Sequence, residues 1–404
     1  MNKFLNLNFK GDIIVYLTAS VFNACISFVF IVFLTYFITP SEVGKIETFV
    51  SITSLTTAII LFGSNTHLVK FYSEGKKNHF QTIFNGITSN SILLTIIVLS
   101  ISSFFAFENF LLITVLLFSI STSFYTIIIT SYQLDKKSVK YAKTIVLYAL
   151  INFGISIFFI FLYESGNSRI GSLTITSIAL FIYVYFRFDK FVIPKIKIDK
   201  SFYSIGYILF ISQLLSWIIE KSDRILISEF LNTESTGKYG IGYQFGMIVL
   251  MVQVAISRAW MPRIIENFKL KKIKKIKKDI TKISILLFVL SIIISVFSYF
   301  FITVFLNEEY LISATIAVII SFGYMIDGIW KLYNGILVYL NNYFLSAISV
   351  FIAGIINLII NILFLSEYGI ITAAISTFIS FSVGLFFSFF CVHFKLKTLS
   401  NDDS

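Results

Sequence analysis

Residues 13–38 read IIVYLTASVFNACISFVFIVFLTYFI, an apolar run of 26 residues without a charged side chain. A helix of about 20 residues crosses the hydrocarbon core of a bilayer, so this run is long enough to span it. It is also too long for the core of a signal peptide, and no small-x-small cleavage site follows it. We therefore expect these residues to form a retained first transmembrane helix.

The same kind of run recurs along the whole chain of 404 residues. Only 13% of the residues are charged and the mean hydropathy is +0.89, values that exclude an ordinary soluble protein and a disordered chain. A membrane β-barrel would show alternating segments of about 10 residues instead. We therefore predict an all-α polytopic membrane protein with about twelve spans. Their approximate bounds are 12–38, 43–68, 81–107, 110–133, 141–163, 170–188, 203–230, 239–261, 280–306, 311–339, 345–365 and 370–393.

The lysines and arginines predict the orientation of these spans. Of the 32 basic residues, 26 fall in segments on one side of the predicted membrane, three on the other side and three within spans. Because basic residues are enriched in cytoplasmic loops, both termini are expected in the cytoplasm. The net charge of +11 then reports topology, and it gives no reason to expect nucleic acid as a partner.

The longest basic segment, residues 269–282, reads KLKKIKKIKKDITK, with isoleucines at helical spacing. This pattern predicts an amphipathic helix lying on the anionic inner leaflet. Such a helix is either a simple positive anchor or a device that recruits an anionic lipid substrate.

Two matching motifs indicate an internal repeat. Residues 37–45 (FITPSEVGK) follow the first span and residues 230–238 (FLNTESTGK) follow the seventh, at a constant offset of 193. Asn152 in span five matches Asn357 in span eleven. Six spans per half make the repeats parallel, the plan of a transporter in which two bundles face a central cleft. The predicted parts are an N-terminal bundle (1–190), a cytoplasmic linker (191–202), a C-terminal bundle (203–394) and a cytoplasmic tail (395–404).

Three short motifs resemble those of polysaccharide flippases. Residues 34–49 (LTYFITPSEVGKIETF) look like the P-x-x-x-G turn between the first two spans of these proteins. Residues 222–224 (SDR), followed by 237–239 (GKY), are similar to their D-[KR]…G-x-Y pattern. Residues 368–370 (YGI) resemble their Y-G-I-x-G-A motif, with Thr372 in place of the second glycine.

At the level of spans and repeat, the resemblance covers the whole chain. It implies the multidrug/oligosaccharidyl-lipid/polysaccharide exporter superfamily and, within it, the Wzx-type O-antigen flippases. Members of that group move undecaprenyl-diphosphate-linked oligosaccharides from the inner to the outer leaflet of the bacterial inner membrane. The implied partners are this lipid-linked substrate, membrane lipids and the polysaccharide polymerase machinery.

Charges inside a membrane are costly, so they are candidates for function. Six such charges fall in spans seven and ten. Arg224 and Lys331 are candidates for binding the diphosphate, because Arg binds two phosphate oxygens and Lys acts as a point charge. Glu220, Asp223 and Asp327 are candidates for carrying a coupling proton or sodium ion. The alternative is that these groups form ion pairs that only stabilise helix packing. The six are Glu220, Lys221, Asp223, Arg224, Asp327 and Lys331.

Two further residues complete the predicted substrate site. Trp330 lies beside Lys331 in sequence and is a candidate for stacking on sugars. Arg258, at the inner end of span eight, is a candidate for meeting the head group first in an inner vestibule. Its alternative role is to reach the lipid phosphates at the membrane surface.

These features favour a transporter over other classes of protein. No Gly-rich phosphate loop is present, so no nucleotide cofactor is expected, and energy would come from an ion gradient or from consumption of the product. An ion-coupled multidrug or cation antiporter of the same superfamily is the first alternative. A polysaccharide polymerase or membrane glycosyltransferase is less favoured, because the predicted outside loops are too short for catalytic residues, and a structural scaffold is less favoured still.

Overall fold

The computed structural model describes residues 2–73, 79–102, 109–188, 193, 195, 196, 200–269 and 272–401. The described residues are almost entirely helical and contain no β-strand. A 3-10 turn, Glu308–Tyr310, precedes α12. The helices are α1 (Asn2–Phe37), α2 (Pro40–Leu61), α3 (Ser64–Ser73), α4 (His79–Ser102), α5 (Asn109–Leu134), α6 (Ser138–Tyr163), α7 (Gly166–Phe186), α8 (Lys200–Phe230), α9 (Thr233–Gly246), α10 (Ile248–Lys269), α11 (Ile273–Phe305), α12 (Leu311–Tyr339), α13 (Tyr343–Tyr368) and α14 (Ile371–Asn401).

The predicted all-α membrane architecture is confirmed. In the described part of the chain, eleven helical segments are long and apolar enough to cross a membrane. They correspond to every predicted span except the seventh, which forms α8, a helix of 31 residues. The predicted limits are close to the observed ones, as in α13, where 345–365 was expected and Tyr343–Tyr368 is found.

Two spans are each made of two consecutive helices. Span two breaks between α2 and α3 at Phe62 and Gly63, which have φ angles of +46° and +77°. Glycine adopts such angles without strain. Span eight breaks between α9 and α10 at Met247, whose backbone N–H donates to the carbonyl oxygen of Tyr243 at 2.8 Å.

Many buried hydroxyl groups donate to a carbonyl oxygen of their own helix. The Thr176 hydroxyl donates to the Ser172 carbonyl oxygen at 2.7 Å, and the Ser123 hydroxyl donates to the Ser119 carbonyl oxygen at 2.6 Å. These bonds to the preceding turn satisfy the hydroxyl donors that make them within an apolar interior. They explain how a chain with many buried serines and threonines still forms apolar helices.

The residue contacts divide the chain into two compact units. The first unit comprises Met1–Ile38 and Thr48–Leu214, and the second comprises Thr39–Glu47 and Leu215–Ser404. The helices α2 and α8 therefore contribute to both units. Half of the predicted linker, 191–202, falls outside the described residues, and residues 200–202 belong to α8, so the linker as a separate part stays a prediction.

Each unit has its own apolar core. In the first unit, α2, α3, α4, α5 and α7 supply a buried cluster that includes Ile60, Ile83, Phe84 and Ile127. In the second unit, buried side chains of α8, α9, α12, α13 and α14 form the main cluster.

In the second unit, the start of α2 crosses the start of α9 at two glycines. A Cβ atom on Gly44 would collide with the carbonyl oxygen of Thr233, and a Cβ atom on Gly237 would collide with the carbonyl oxygen of Pro40. The contacts are reciprocal, because the same offset of 193 relates both pairs of residues. The hydroxyls of Ser41 and Thr233 are 2.8 Å apart and add a hydrogen bond. The two copies of the repeated motif thus pack directly on each other, as in a two-fold contact.

The basic segment 269–282 requires a correction. Its last residues begin α11 and continue without a break into span nine, instead of forming a separate surface helix. Ile276, Ile280 and Ile283 are buried against apolar side chains of α10 and α12. Helical spacing identifies the apolar face correctly, but it does not tell whether lipid or protein covers that face.

Candidate functional site

Arg224 is buried in the second unit, with 2% of its surface exposed. Its Nε atom lies 3.6 Å from the carboxylate of Glu47, and one terminal nitrogen donates to the Glu220 carbonyl oxygen at 2.6 Å. The guanidinium carbon lies 3.8 Å from the ring centre of Tyr243 and 5.5 Å from that of Tyr239. A carboxylate and two aromatic faces therefore compensate this charge.

The glycine crossing explains how Glu47 reaches this position. Glu47 lies one turn after Gly44 in α2, and a Cβ atom on Gly240 of α9 would collide with its side chain. The Glu47 carboxylate also accepts a hydrogen bond from the side-chain amide of Gln244. The absence of side chains at Gly44 and Gly240 thus makes room for a buried acidic group beside Arg224.

Asp223 points to a different set of helices. One carboxylate oxygen accepts hydrogen bonds from the Tyr239 hydroxyl at 2.6 Å and the Thr377 hydroxyl at 3.0 Å. The other accepts from the Asn361 amide at 2.9 Å. Three neutral donors from α9, α13 and α14 hold this fully buried carboxylate, and such bonds stabilise its charged form.

Asp327 and Lys331 form the second cluster, one helical turn apart in α12. The Lys331 ammonium nitrogen lies 2.6 Å from Asp327 Oδ2, and the Gln253 amide donates to the same oxygen at 2.6 Å. Asp327 is buried, whereas 44% of the Lys331 side chain is exposed. Of the two predicted substrate-binding cations whose side chains the structure describes, Arg224 is buried and Lys331 is accessible.

A cavity of about 210 Å³ is lined by both Glu220 of α8 and the Asp327–Lys331 pair of α12. At about 30 Å³ per water it has room for roughly seven water molecules. It is smaller than the usual ligand pocket, which is about 300–1,000 Å³. In this conformation it suits a hydrated ion or a phosphate group better than an oligosaccharide. Its lining residues are Ser216, Ile219, Glu220, Asp327, Trp330, Lys331, Asn334, Val350 and Phe381.

Trp330 is held firmly at the wall of this cavity. Its indole N–H donates to the Ser388 hydroxyl at 3.1 Å. Its ring covers Gly384, where any Cβ atom would collide with it, and lies 6.1 Å from the ring of Phe381. Because the indole N–H already donates to Ser388, Trp330 would contact a ligand through the surface of its ring.

A comparison with known protein families places this site in context. Residues 9–268 match the family model described as polysaccharide biosynthesis protein. This match covers well over half of the chain. The chain belongs to this family. None of the curated proteins matches the sequence significantly.

Solved structures show which fold this polysaccharide biosynthesis protein shares. The chain is similar to the lipid II flippase MurJ in an inward closed conformation, with a TM-score of 0.70 and 19% identity, over 94% of this chain and 87% of MurJ. It is also similar to an inward-facing multidrug resistance MATE family transporter of the MOP superfamily, with a TM-score of 0.62 and 11% identity, over 97% and 99% of the chains. A mutant of the Vibrio cholerae MATE transporter VcmN gives a TM-score of 0.54 and 13% identity, over 98% of both chains.

The predicted site residues of this family member fall into three groups. Four of them line one cavity: Glu220, Asp327, Trp330 and Lys331. Asp223 and Arg224 are buried beside it and are absent from its lining. The side chain of Arg258 lies outside the described residues.

Sequence reasoning missed the neutral and acidic partners of these charges. Glu47 falls inside the predicted span 43–68, but it is not among the charges selected from the sequence in spans seven and ten. The internal repeat did contain a signal for Glu47. At the offset of 193, Glu47 aligns with Gly240, and the absence of a side chain at Gly240 leaves space for that of Glu47. Gln253, Asn361 and Thr377 carried no signal, because polar residues without charge are common in these helices.

Proposed function

We propose that this protein is a flippase for a lipid-linked oligosaccharide. The substrate would be an undecaprenyl-diphosphate-linked repeat unit of O-antigen or capsule, moved from the inner to the outer leaflet by alternating access. The observation that carries the proposal is a cavity lined by charged side chains, with an accessible Lys331, among membrane-spanning helices of a polysaccharide biosynthesis family member. A sugar head group needs such a cavity because each unpaired hydroxyl costs several kcal/mol in hydrocarbon.

Lys331 and Trp330 are the residues that we assign to the substrate. Lys331 would attract a phosphate oxygen, because its ammonium group is exposed while its partner Asp327 is buried. Trp330 would offer its ring to a sugar, because Ser388 already holds its N–H. The cavity must widen during transport, since its present volume admits only part of the head group.

Glu220 and Asp327 are assigned to ion coupling, with a proton or a sodium ion as the coupling ion. Both carboxylates line the cavity together with one ammonium group, so the formal charge of its ionised lining is negative. The buried Gln253 Oε1, beside Asp327, has no hydrogen-bond partner among the described residues. A water molecule or a cation would satisfy that oxygen.

Arg224 and Asp223 are assigned an indirect role in this conformation. Arg224 holds the backbone of Glu220, and Asp223 fixes the adjacent turn of α8 through its three donors. They would thus position the cavity wall that carries Glu220. Contact of Arg224 or Asp223 with substrate or ion, and a vestibule at Arg258, remain predictions from the sequence.

The proposed location follows from the topology. The protein would be a multi-pass protein of the bacterial inner membrane with both termini in the cytoplasm, and it would work beside the polysaccharide polymerase machinery. The distribution of basic residues supports this orientation.

The test is complementation of a strain that lacks its own polysaccharide flippase. The wild-type chain should restore surface polysaccharide, and Lys331→Met should reduce it at least 10-fold at equal protein level. Lys274→Met, an exposed lysine at the start of α11, is the matched control and should export normally. Normal export by Lys331→Met would refute the proposed site.

A second candidate function is an ion-coupled multidrug or cation antiporter. The two carboxylates in the cavity favour it, because a cationic drug would pair with them. Cells expressing the chain would then expel ethidium faster than control cells, and Glu220→Gln would abolish that efflux. The flippase proposal expects no change in ethidium efflux.

A further inference from the structure

The first unit contains a separate cavity of about 350 Å³, which is not part of the proposed transport site. It lies at the end of α5, the start of α6 and the end of α7, which the basic residues predict to be the cytoplasmic side. Its lining residues are Tyr132, Lys140, Lys143, Thr144, Tyr183, Val184 and Arg187. None of these described residues is acidic.

Three cations, Lys140, Lys143 and Arg187, line this one cavity. Lys140 and Lys143 also lie in the first two turns of α6, which begins at Ser138. A helix N-terminus has a positive dipole end, so lysines there are unfavourable for the helix. The enrichment of basic residues on the cytoplasmic side accounts for their presence, and a bound anion in the cavity would offset the unfavourable position of Lys140 in the first turn.

The cavity also offers fixed polar and aromatic groups. The guanidinium carbon of Arg187 lies 4.9 Å from the ring centre of Tyr183. This contact orients the N–H donors of the Arg187 guanidinium group. Tyr132 and Thr144 are buried at the cavity wall. Arginine forks and lysines together are suited to phosphate oxygens.

The surroundings of the cavity indicate a ligand with hydrocarbon chains. Ile182 and Phe186 are one turn apart on α7, next to Tyr183 and Arg187, and they are 46% and 75% exposed. A phosphate in the cavity would place its attached chains along this apolar stripe. Basic pockets between spanning helices on the cytoplasmic side are known to hold phospholipid head groups.

We infer that the cavity lined by Lys140, Lys143 and Arg187 binds the phosphate head group of an anionic phospholipid from the inner leaflet. The site lies in the first unit and is distinct from the cavity at Lys331. The lipid is a bound component and not the transported substrate.

The experiment is native mass spectrometry of the purified full-length protein in detergent, titrated with cardiolipin. The wild-type protein should bind cardiolipin, and Lys143→Gln/Arg187→Gln should weaken binding by roughly 10- to 30-fold, since each basic group contributes about a fivefold gain. Lys143→Arg/Arg187→Lys keeps both charges and should bind within about threefold of wild type, which also shows that the site tolerates substitution.

Three results would overturn the inference. The first is unchanged cardiolipin binding in Lys143→Gln/Arg187→Gln. The second is equally tight binding of zwitterionic phosphatidylcholine, and the third is competition by free glycerol phosphate at the same concentration as the lipid. The double variant Lys274→Gln/Lys277→Gln removes two exposed charges from α11. It should leave binding unchanged, and an equal loss in this control would also contradict a specific site.

Discussion

Glu47 Oε2 lies 3.6 Å from Arg224 Nε, and both side chains are buried in the second unit. The pair joins the second turn of α2 to the C-terminal third of α8. Because Arg224 also holds the Glu220 carbonyl oxygen, this pair supports the wall of the proposed site. Removing one member would leave a buried charge without compensation, which is the basis of the first prediction.

Glu47→Gln should lower the free energy of unfolding by about 3–5 kcal/mol, the usual cost of breaking a buried ion pair. Thermal unfolding of the purified protein in detergent measures this loss. Glu42→Gln is the control, because Glu42 forms a surface pair with Lys45 and such pairs contribute about 0–1 kcal/mol. Equal stability of the two variants would show that Glu47 does not compensate Arg224.

The glycine crossing gives a second prediction. Gly44→Ala places a Cβ atom against the Thr233 carbonyl oxygen, so we expect a loss of about 1–3 kcal/mol from overpacking. Gly154→Ala is the control, because nothing lies within 4 Å of a Cβ atom there. That substitution should be neutral or stabilising, since alanine favours a helix by up to about 1 kcal/mol. A Gly44→Ala protein as stable as Gly154→Ala would contradict the close crossing.

The basic start of α11 gives a third prediction, which tests the correction to its position. Ile276→Ala should cost about 2–5 kcal/mol, because the side chain is buried in the protein. Lys277→Ala, on the exposed side of the same turn, should change stability by no more than about 0.5 kcal/mol. Chemical or thermal unfolding separates the two variants. A small loss for Ile276→Ala would instead mean that this face lies on lipid.

A fourth prediction concerns ion coupling. Asp327→Asn keeps the size of the side chain and its place beside Gln253 but removes the charge. Transport by this variant should no longer respond to an imposed proton or sodium gradient. Asp135→Asn removes a carboxylate that lies 3.5 Å from Lys137, at the end of α5 and outside the cavity, and it should keep the response. A gradient response in Asp327→Asn equal to wild type would remove Asp327 from the coupling site.

The sequence alone predicted the features that depend on composition and on the repetition of motifs along the chain. Long uncharged runs predicted the spans, and the repeated motif at Gly44 and Gly237 predicted a relation that the structure shows as a reciprocal contact. The rarity of charges inside a membrane selected Glu220, Asp327 and Lys331, which line one cavity.

Other features depend on which helix faces pack against each other. The spacing of residues along the sequence does not determine that packing. The role of Glu47 was not predicted, because its burial beside Arg224 depends on a crossing with α9. Arg224 was predicted to bind a ligand, because only the packed structure shows its contacts with Tyr243 and Glu47. The isoleucines of α11 formed the predicted face, but the helices that cover it are distant in sequence.

The central claim is that this polysaccharide biosynthesis family member moves a lipid-linked oligosaccharide through the cavity at Lys331. The most direct measurement uses proteoliposomes that contain the purified protein and a fluorescent undecaprenyl-diphosphate oligosaccharide. The rate at which the sugar becomes accessible on the opposite leaflet is recorded. The account predicts transfer by the wild-type protein and by Lys274→Met, and at least a 10-fold slower rate for Lys331→Met. Transfer by Lys331→Met at the wild-type rate, or none by the folded wild-type protein, would contradict it.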